Sequence, residues 1–99
     1  MRVIMEVRFP VEPFNTLVRE AKIEDTMRKL METTHPEAAY FTEFDGKRGG
    51  FLVVDMPHSS DIPRFAEPWF LALSAEVRFR PAMTPEDLAK ANLNAFAVM

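Results

Sequence analysis

Four segments of the chain predict β-strands, because their apolar residues alternate with polar ones or run continuously over the length of a strand. In chain order they are RVIMEVRF, EAAYFTEF, FLVVDM and AEVRFRPA. The first has one apolar side and one largely charged side: Val3, Met5, Val7 and Phe9 against Arg2, Ile4, Glu6 and Arg8. The segment DGKRGG supplies turn residues between the second and third strands, which predicts a hairpin there.

Helical patterns lie between strands one and two and between strands three and four. The resulting order, β-α-β-β-α-β, predicts an α+β domain of the ferredoxin-like type, with a four-stranded antiparallel sheet, over residues 1–83. Thr84 as N-cap, Pro85 in the first turn and Asp87 three residues after the cap then begin an extra helix. We expect this C-terminal helix to cover 84–99 and to pack on a second subunit.

Two apolar stripes in the first helical region point in nearly opposite directions. At about 100° per residue, one face carries Phe14, Leu17, Val18 and Ala21, and the other carries Ile23, Met27, Leu30 and Met31. One straight helix cannot place both stripes on the same sheet. The pattern therefore predicts a break near Ala21–Lys22 and a main helix to about Thr33, which ends at His35 because a residue before proline avoids helical geometry.

The second helical region, DIPRFAEPWFLAL, contains a proline beside the single tryptophan. Its apolar face is predicted to comprise Ile62, Phe65, Ala66, Trp69, Phe70 and Leu73. Pro68 falls on the opposite side, toward solvent, where it would bend the helix over the sheet. In the alternative interpretation the bend opens space beside Trp69 for a planar apolar ligand, which makes Trp69 a candidate ligand-binding residue.

Charge selects the register between the first and fourth strands. One antiparallel register sets Glu6 opposite Arg78 and Arg8 opposite Glu76, whereas a shift of two residues either way opposes like charges. Cross-strand pairs of opposite charge stabilise a sheet by roughly 0.2–1 kcal/mol each, and like pairs cost similar amounts. We therefore expect the first register.

The apolar run FLVV, with AAYF beside it, predicts a second subunit. A strand that is apolar on both faces is usually covered on both, and one short chain has too few elements to cover the face that points away from its helices. A second copy could cover it, and the C-terminal helix, with Leu88, Leu93 and Phe96, could clasp that copy. We expect a homodimer.

With these features the chain resembles the dimeric α+β barrel superfamily, and in particular muconolactone-isomerase-like small proteins. The segments VIMEVRFPVE, GGFLVVDM and PWFLALSAEVRFRPAMTPEDL, together with the strand order, carry the resemblance over residues 1 to about 88. It implies homodimerisation and a cavity, either between sheet and helices or between two facing sheets. In the superfamily such cavities serve isomerases, cyclases and cofactor-poor monooxygenases, but no isomerase catalytic set can be matched onto this sequence.

Charged residues on the first and fourth strands are the main candidates for chemistry. Glu6 and Arg78 are candidate catalytic residues, and Arg8 and Glu76 candidate ligand-binding residues, because all four could line a polar cavity floor on which a carboxylate abstracts a proton. The alternative is a charge ladder that only stabilises the sheet, since structural ion pairs also occur without catalysis.

Two further candidate site residues are Tyr40 and His58. Tyr40 could orient a ligand carbonyl, or it could be a packing residue with a hydrated hydroxyl. His58, in DMPHSSD, is a candidate acid–base residue. The only other histidine is His35, so we expect no metal site, and we expect no organic cofactor.

Composition excludes several classes of function. The 99 residues form one domain without cysteine, which removes disulfides and thiolate sites and is consistent with a cytoplasmic protein. A net charge of −3 and the absence of an apolar run of roughly 20 residues argue against nucleic-acid and membrane partners. KRGGFLVV lies where RNA-recognition domains carry stacking rings, but Gly49 and Val54 occupy the aromatic positions.

Two functions therefore remain. In the first, a homodimeric α+β barrel binds a small organic molecule in a cavity, with isomerase- or cyclase-like chemistry. In the second, the dimer is a non-catalytic interaction or regulatory module without a small-molecule substrate. A metabolite that copurifies with the protein would distinguish the first function from the second.

Overall fold

The chain is an α+β protein with a four-stranded antiparallel sheet, and the helices that precede the fourth strand pack on one side of this sheet. The computed structural model describes residues 1–98. The elements are β1 Arg2–Arg8, α1 Val11–Arg19, α2 Ile23–Thr34, β2 Ala38–Phe44, β3 Lys47–Asp55, α3 Ile62–Leu73, β4 Glu76–Pro81 and α4 Pro85–Lys90, with 3-10 turns at Ser59–Asp61 and Leu93–Val98. The strand order in the sheet is β2-β3-β1-β4, which is consistent with the predicted ferredoxin-like arrangement.

The core lies between the sheet and the helices, and it includes the apolar side of β1 that the alternation predicted. Its fully buried side chains are Val3, Met5, Val7, Leu52, Val54, Trp69 and Leu73. The opposite side of the sheet, called the outer face below, has no helix over it in the part of the chain that the structure describes. Its residues on β1 are Arg2, Ile4, Glu6 and Arg8.

The predicted break in the first helical region is confirmed. α1 ends at Arg19, Ala21 adopts a left-handed backbone with φ of 59°, and α2 begins at Ile23. Part of each apolar stripe thereby reaches the same core: Phe14 and Leu17 from α1, and Met27 from α2. Val18, from the first stripe, stays exposed. The helix ends at His35, also left-handed.

The hairpin between β2 and β3 is tighter than predicted. The turn consists of Asp45 and Gly46 alone, with φ of 52° and 83°, as expected of a two-residue Asp-Gly hairpin loop. The rest of the predicted turn segment belongs to β3, which begins at Lys47. Gly49 and Gly50 are therefore strand residues and not turn residues. Aromatic side chains from β2 occupy the space that a Cβ would need at these positions: Phe44 lies against Gly49, and Phe41 against Gly50.

Gly49→Ala is expected to lower the free energy of unfolding by about 1–3 kcal/mol, the usual cost of overpacking. The added Cβ would contact the Phe44 ring and lie 2.6 Å from the Val7 carbonyl oxygen, which is backbone and cannot move freely. Urea unfolding at fixed protein concentration measures the change. Thr42, exposed and opposite Gly49 on β2, provides the control, since Thr42→Ala should change stability by about 0.5 kcal/mol or less.

α3 buries a narrower face than the sequence predicted. Its buried residues are Phe65, Ala66, Trp69 and Leu73, whereas Ile62 and Phe70 are each 41% exposed. Pro68 is half-buried and borders a groove shared with Leu30 and Thr33 of α2, so the expectation that it faces solvent is only partly met. α3 continues through Pro68 to Leu73.

The C-terminal segment begins as predicted but is not a single helix. The Thr84 hydroxyl accepts the Asp87 backbone N–H at 3.1 Å, and the Asp87 carboxylate accepts the Thr84 N–H at 3.2 Å. α4 then ends at Lys90, Asn92 is left-handed, and the chain continues as a 3-10 turn. The last residue of the predicted helix, Met99, lies outside the described residues.

Residues 85–98, called the C-terminal arm, extend away from the rest of the chain. The radius of gyration is 16.6 Å, whereas a compact chain of this length has about 13 Å. The long axis is 61 Å. Apolar side chains on the arm are exposed: Leu88, Leu93, Phe96 and Val98.

Candidate functional site

The outer face brings most of the predicted site residues together in cross-strand rows. One row crosses all four strands, from Tyr40 on β2 through Phe51 and Glu6 to Arg78 on β4. The flanking rows place Arg8 opposite Glu76, and Ile4 between Val53 and Arg80. The predicted register of β1 and β4 is therefore confirmed, and charged residues occupy one half of the face while aromatic residues occupy the other.

Glu6 is held at the centre of this face by three arginines and is only 3% exposed. Its Oε2 accepts a hydrogen bond from Arg8 Nε at 2.9 Å and a longer one from Arg78 Nη1 at 3.5 Å. Its Oε1 lies 3.3 Å from Arg80 Nη2. These four residues are called the arginine cluster. Burying a carboxylate costs desolvation free energy, which ion pairs and hydrogen bonds of this kind offset.

The pairing within the cluster differs from the predicted ladder in one contact. Arg8 and Glu76 are opposite one another, but within residues 1–98 they form no ion pair, because Arg8 turns along its own strand to Glu6 instead. Arg80 joins the cluster although the sequence did not single it out. The alternation of β4 was a sufficient signal, since Arg78 and Arg80 are two residues apart and share a face.

Aromatic side chains adjoin the cluster on the β2–β3 side. The Arg8 guanidinium lies 4.5 Å from the centroid of the Phe44 ring, and the Phe44 and Phe51 rings meet edge to face at 5.3 Å. Tyr40, beside Phe51, is 71% exposed. Sequence reasoning did not place Phe44 at the site, because its position depends on how the hairpin folds its ring over Gly49.

A pocket of about 250 Å³ opens at the end of the sheet beside the cluster. Its lining is Arg8, Phe9, Pro10, Phe44, Asp45, Lys47, Ser74 and Glu76. Two predicted ligand-binding residues, Arg8 and Glu76, thus border a concave surface, and Arg8 connects this end pocket with the arginine cluster.

Trp69 does not lie on the outer face or at the end pocket. It packs on the helix side of the sheet, has no exposed surface, and stacks on Phe9 with ring centroids 6.0 Å apart. Its indole N–H donates to the Thr34 hydroxyl at 3.0 Å. The structure therefore does not bring Trp69 together with the other predicted ligand-binding residues.

His58 lies at the other end of the sheet from Arg8, in the exposed loop after β3. Its backbone N–H donates to the Asp61 carboxylate at 3.2 Å. The residue borders a largely apolar groove of about 320 Å³, also lined by Met1, Val3, Met56, Ile62, Phe79 and Pro81. The candidate acid–base residue is thus separated from Glu6 and Arg78.

Surface charges on the helices are paired locally. A hydrogen bond from the Thr16 hydroxyl lowers the pKa of Glu12. Hydrogen bonds from Arg28 and Lys29 likewise lower the pKa of Asp25. These groups belong to α1 and α2, on the opposite side of the sheet from the arginine cluster.

The part of the chain that the structure describes holds neither a cluster of potential metal ligands nor a membrane-spanning helix. Among residues 1–98, no group of three or more histidine, cysteine, aspartate or glutamate residues is placed to hold a metal ion. No helix in the same range combines the length and the apolar character needed to cross a bilayer.

Glu6→Gln is expected to lower the free energy of unfolding by about 1–3 kcal/mol, because hydrogen bonds to a charged group are lost and three arginines are left facing one another. Urea unfolding at constant ionic strength measures it. Glu76→Gln is the matched control, since Glu76 is exposed on the same face and should change stability by about 0.5 kcal/mol or less. Equal losses in the two variants would contradict a stabilising role for Glu6.

No family model matches the chain, and no curated protein matches it. Among solved structures, the chain is similar to a de novo designed protein, Ferredog-Diesel, with 20% identity over 82% of this chain and 85% of that one, and a TM-score of 0.47.

Proposed function

We propose that the chain forms a homodimer of the dimeric α+β barrel type and binds a small organic molecule between the two facing sheets. The observation that carries the proposal is the outer face itself. A nearly buried carboxylate with three arginines lies at its centre, and aromatic and aliphatic side chains lie beside it.

The apolar part of the face supports the dimer. Antiparallel sheets often leave one side in water, but such a side is usually polar. Here Phe51 and Val53 are half-buried and Tyr40 is largely exposed on one continuous surface. Covering that surface would gain roughly 25 cal/mol per Å² of apolar area, and a twofold partner covers both copies at once.

The C-terminal arm supports the same assembly. It leaves the sheet after β4, an edge strand, and its apolar side chains are exposed. An arm that extends beyond its own domain is suited to clasp a neighbouring subunit. In the dimer, Leu93 and Phe96 would lie against the partner.

The contacts of Glu6 favour ligand binding over proton abstraction. Both carboxylate oxygens already face arginines, so neither is directed at open space. The arginines keep further N–H donors for a ligand, because each guanidinium carries five. An isomerase- or cyclase-like reaction would use them to stabilise negative charge that develops on the ligand.

The non-catalytic dimer is the second candidate. The exposed arm favours it, because an exposed apolar segment of this kind often marks a site of protein–protein interaction. In that case the space between the sheets would hold no small molecule, and the arginine cluster would only stabilise the sheet.

Two measurements on protein purified without added ligand test the proposal. Light scattering at tens of micromolar should give about twice the mass of one chain. Native mass spectrometry should show a small molecule that disappears on denaturation. A dimer without any bound molecule would favour the interaction module, whereas a stable monomer would contradict both candidates.

A further inference from the structure

The arginine cluster also indicates the chemical class of the ligand. The arginine cluster together with Glu76, which faces Arg8, contains three arginines and two carboxylates, so it carries an excess of one positive charge per chain. Arg2, at the far end of β1, is paired separately with Glu37. In a dimer with facing sheets, two such excesses would face each other across the roughly 10 Å that separates packed sheets. Anions bound between them would offset this repulsion.

The arginines are positioned to bind an anion. Arg8 is 30% exposed, and Arg78 and Arg80 are 54% and 56% exposed, so their guanidinium groups reach the surface while Glu6 beneath them is buried. Glu6 acts as a positioning residue, because it holds all three groups around one point. Within residues 1–98, Arg8 and Arg78 each donate one side-chain hydrogen bond, both to Glu6.

The neighbouring residues favour a flat ligand with an apolar part. Phe51 is the cross-strand partner of Glu6, and Tyr40 is the partner of Phe51. Phe51 therefore lies one strand spacing from Glu6, about 5 Å, and Tyr40 lies two, about 10 Å, so the planar part of an acid held by the arginines would extend toward these rings. A planar guanidinium group can donate two parallel hydrogen bonds to the two oxygens of one carboxylate.

From this arrangement we propose that the arginine cluster, with Tyr40, Phe44 and Phe51, binds the carboxylate of a small aromatic or conjugated acid. The arginines hold the acid group, and the rings of β2 and β3 hold the planar part. The inference rests on the proposed function, in that a second sheet closes the space above the ligand.

Calorimetric titration of the full chain tests this assignment with three probes at constant ionic strength. Benzoate is a planar monoanion, benzamide is its neutral analogue of the same shape, and inorganic phosphate is a tetrahedral anion. We expect saturable binding of benzoate, at least about tenfold tighter than binding of benzamide or phosphate, because charge and planarity are both recognised.

Substitutions of single arginines test which residues bind benzoate. Arg78→Gln and Arg80→Gln should each weaken benzoate binding by about tenfold or more. Arg78→Lys, which keeps the charge but loses the planar fork, should also weaken it. Arg64→Gln is the control, since Arg64 is an exposed arginine over an aromatic ring on α3, on the other side of the sheet. Circular dichroism melts confirm that each variant is folded.

The outcomes separate the two proposals. Equal affinity for benzoate and benzamide, or an equal loss in Arg64→Gln, would overturn the assignment of the cluster. If phosphate binds as tightly as benzoate, the cluster binds oxyanions in general, and the assignment of a planar carboxylic acid is overturned. A dimer that binds none of the probes would overturn the ligand class alone, whereas a monomer by light scattering would overturn the proposed function beneath it.

Discussion

The Val53→Glu variant is expected to be a monomer under conditions in which the unaltered chain is a dimer. Val53 is half-buried on the outer face, between Ala38 and Ile4 in its cross-strand row. A carboxylate there would be desolvated between the sheets, at a cost of several kcal/mol. A cost of about 2.7 kcal/mol already weakens dimerisation by about 100-fold. Light scattering over a range of concentrations measures the shift.

Two further variants make this result specific. Val53→Lys cannot pair with the nearby arginines and should also give a monomer. Val18→Glu introduces the same charge at a valine that is 48% exposed on α1, on the helix side of the sheet, and should leave the dimer intact. A dimer that persists in both Val53 variants would show that the outer face is not the interface.

Trp69→Ala is expected to lower the free energy of unfolding by about 3–5 kcal/mol, the range for removing a large aromatic side chain from a core. Trp69 has no exposed surface, and the change would remove its stacking on Phe9 and its hydrogen bond to Thr34. Thr34 keeps its own hydrogen bond to the Leu30 carbonyl, so the loss arises mainly from the cavity. Denaturant unfolding at fixed protein concentration measures it.

The adjacent proline provides the comparison for this loss. Pro68 is half-buried at the groove beside α2, and Pro68→Ala should change stability by about 1 kcal/mol or less. The two residues are neighbours on one helix, so local helix disruption cannot account for a large difference between them. Similar losses in both variants would contradict the assignment of Trp69 to the core.

The sequence contained enough information to predict features that depend on periodicity. The alternation of β1 placed Val3, Met5 and Val7 on the buried side, because successive side chains of a strand point to opposite faces. The change of phase in the first helical region located the break at Ala21, because two stripes in opposite directions cannot share one sheet. The capping signals at Thr84 predicted where the C-terminal helix begins but not where it ends: it was expected to reach residue 99, and it stops at Lys90 before the left-handed Asn92.

Charge pairing predicted the register but not the contacts. Opposite charges placed Glu6 against Arg78, since a shift of two residues would have opposed like charges. The contact of Arg8 with Glu6 instead of Glu76 could not be predicted. It depends on which rotamer of a long side chain fits beside the Phe44 ring, and that ring comes from a strand distant in sequence.

By itself, the amino-acid sequence determined the order of the elements, the side of β1 that faces the core and the pairing of β1 with β4. All three follow from repeats of two or 3.6 residues and from the sign of charges. Only the tertiary structure decided that Gly49 lies under an aromatic ring, that Arg8 lies against the Phe44 ring and that Trp69 lies across the sheet from the arginine cluster. Those contacts join residues from separate strands and helices, so their distances are set by packing in three dimensions and leave no periodic pattern in the chain.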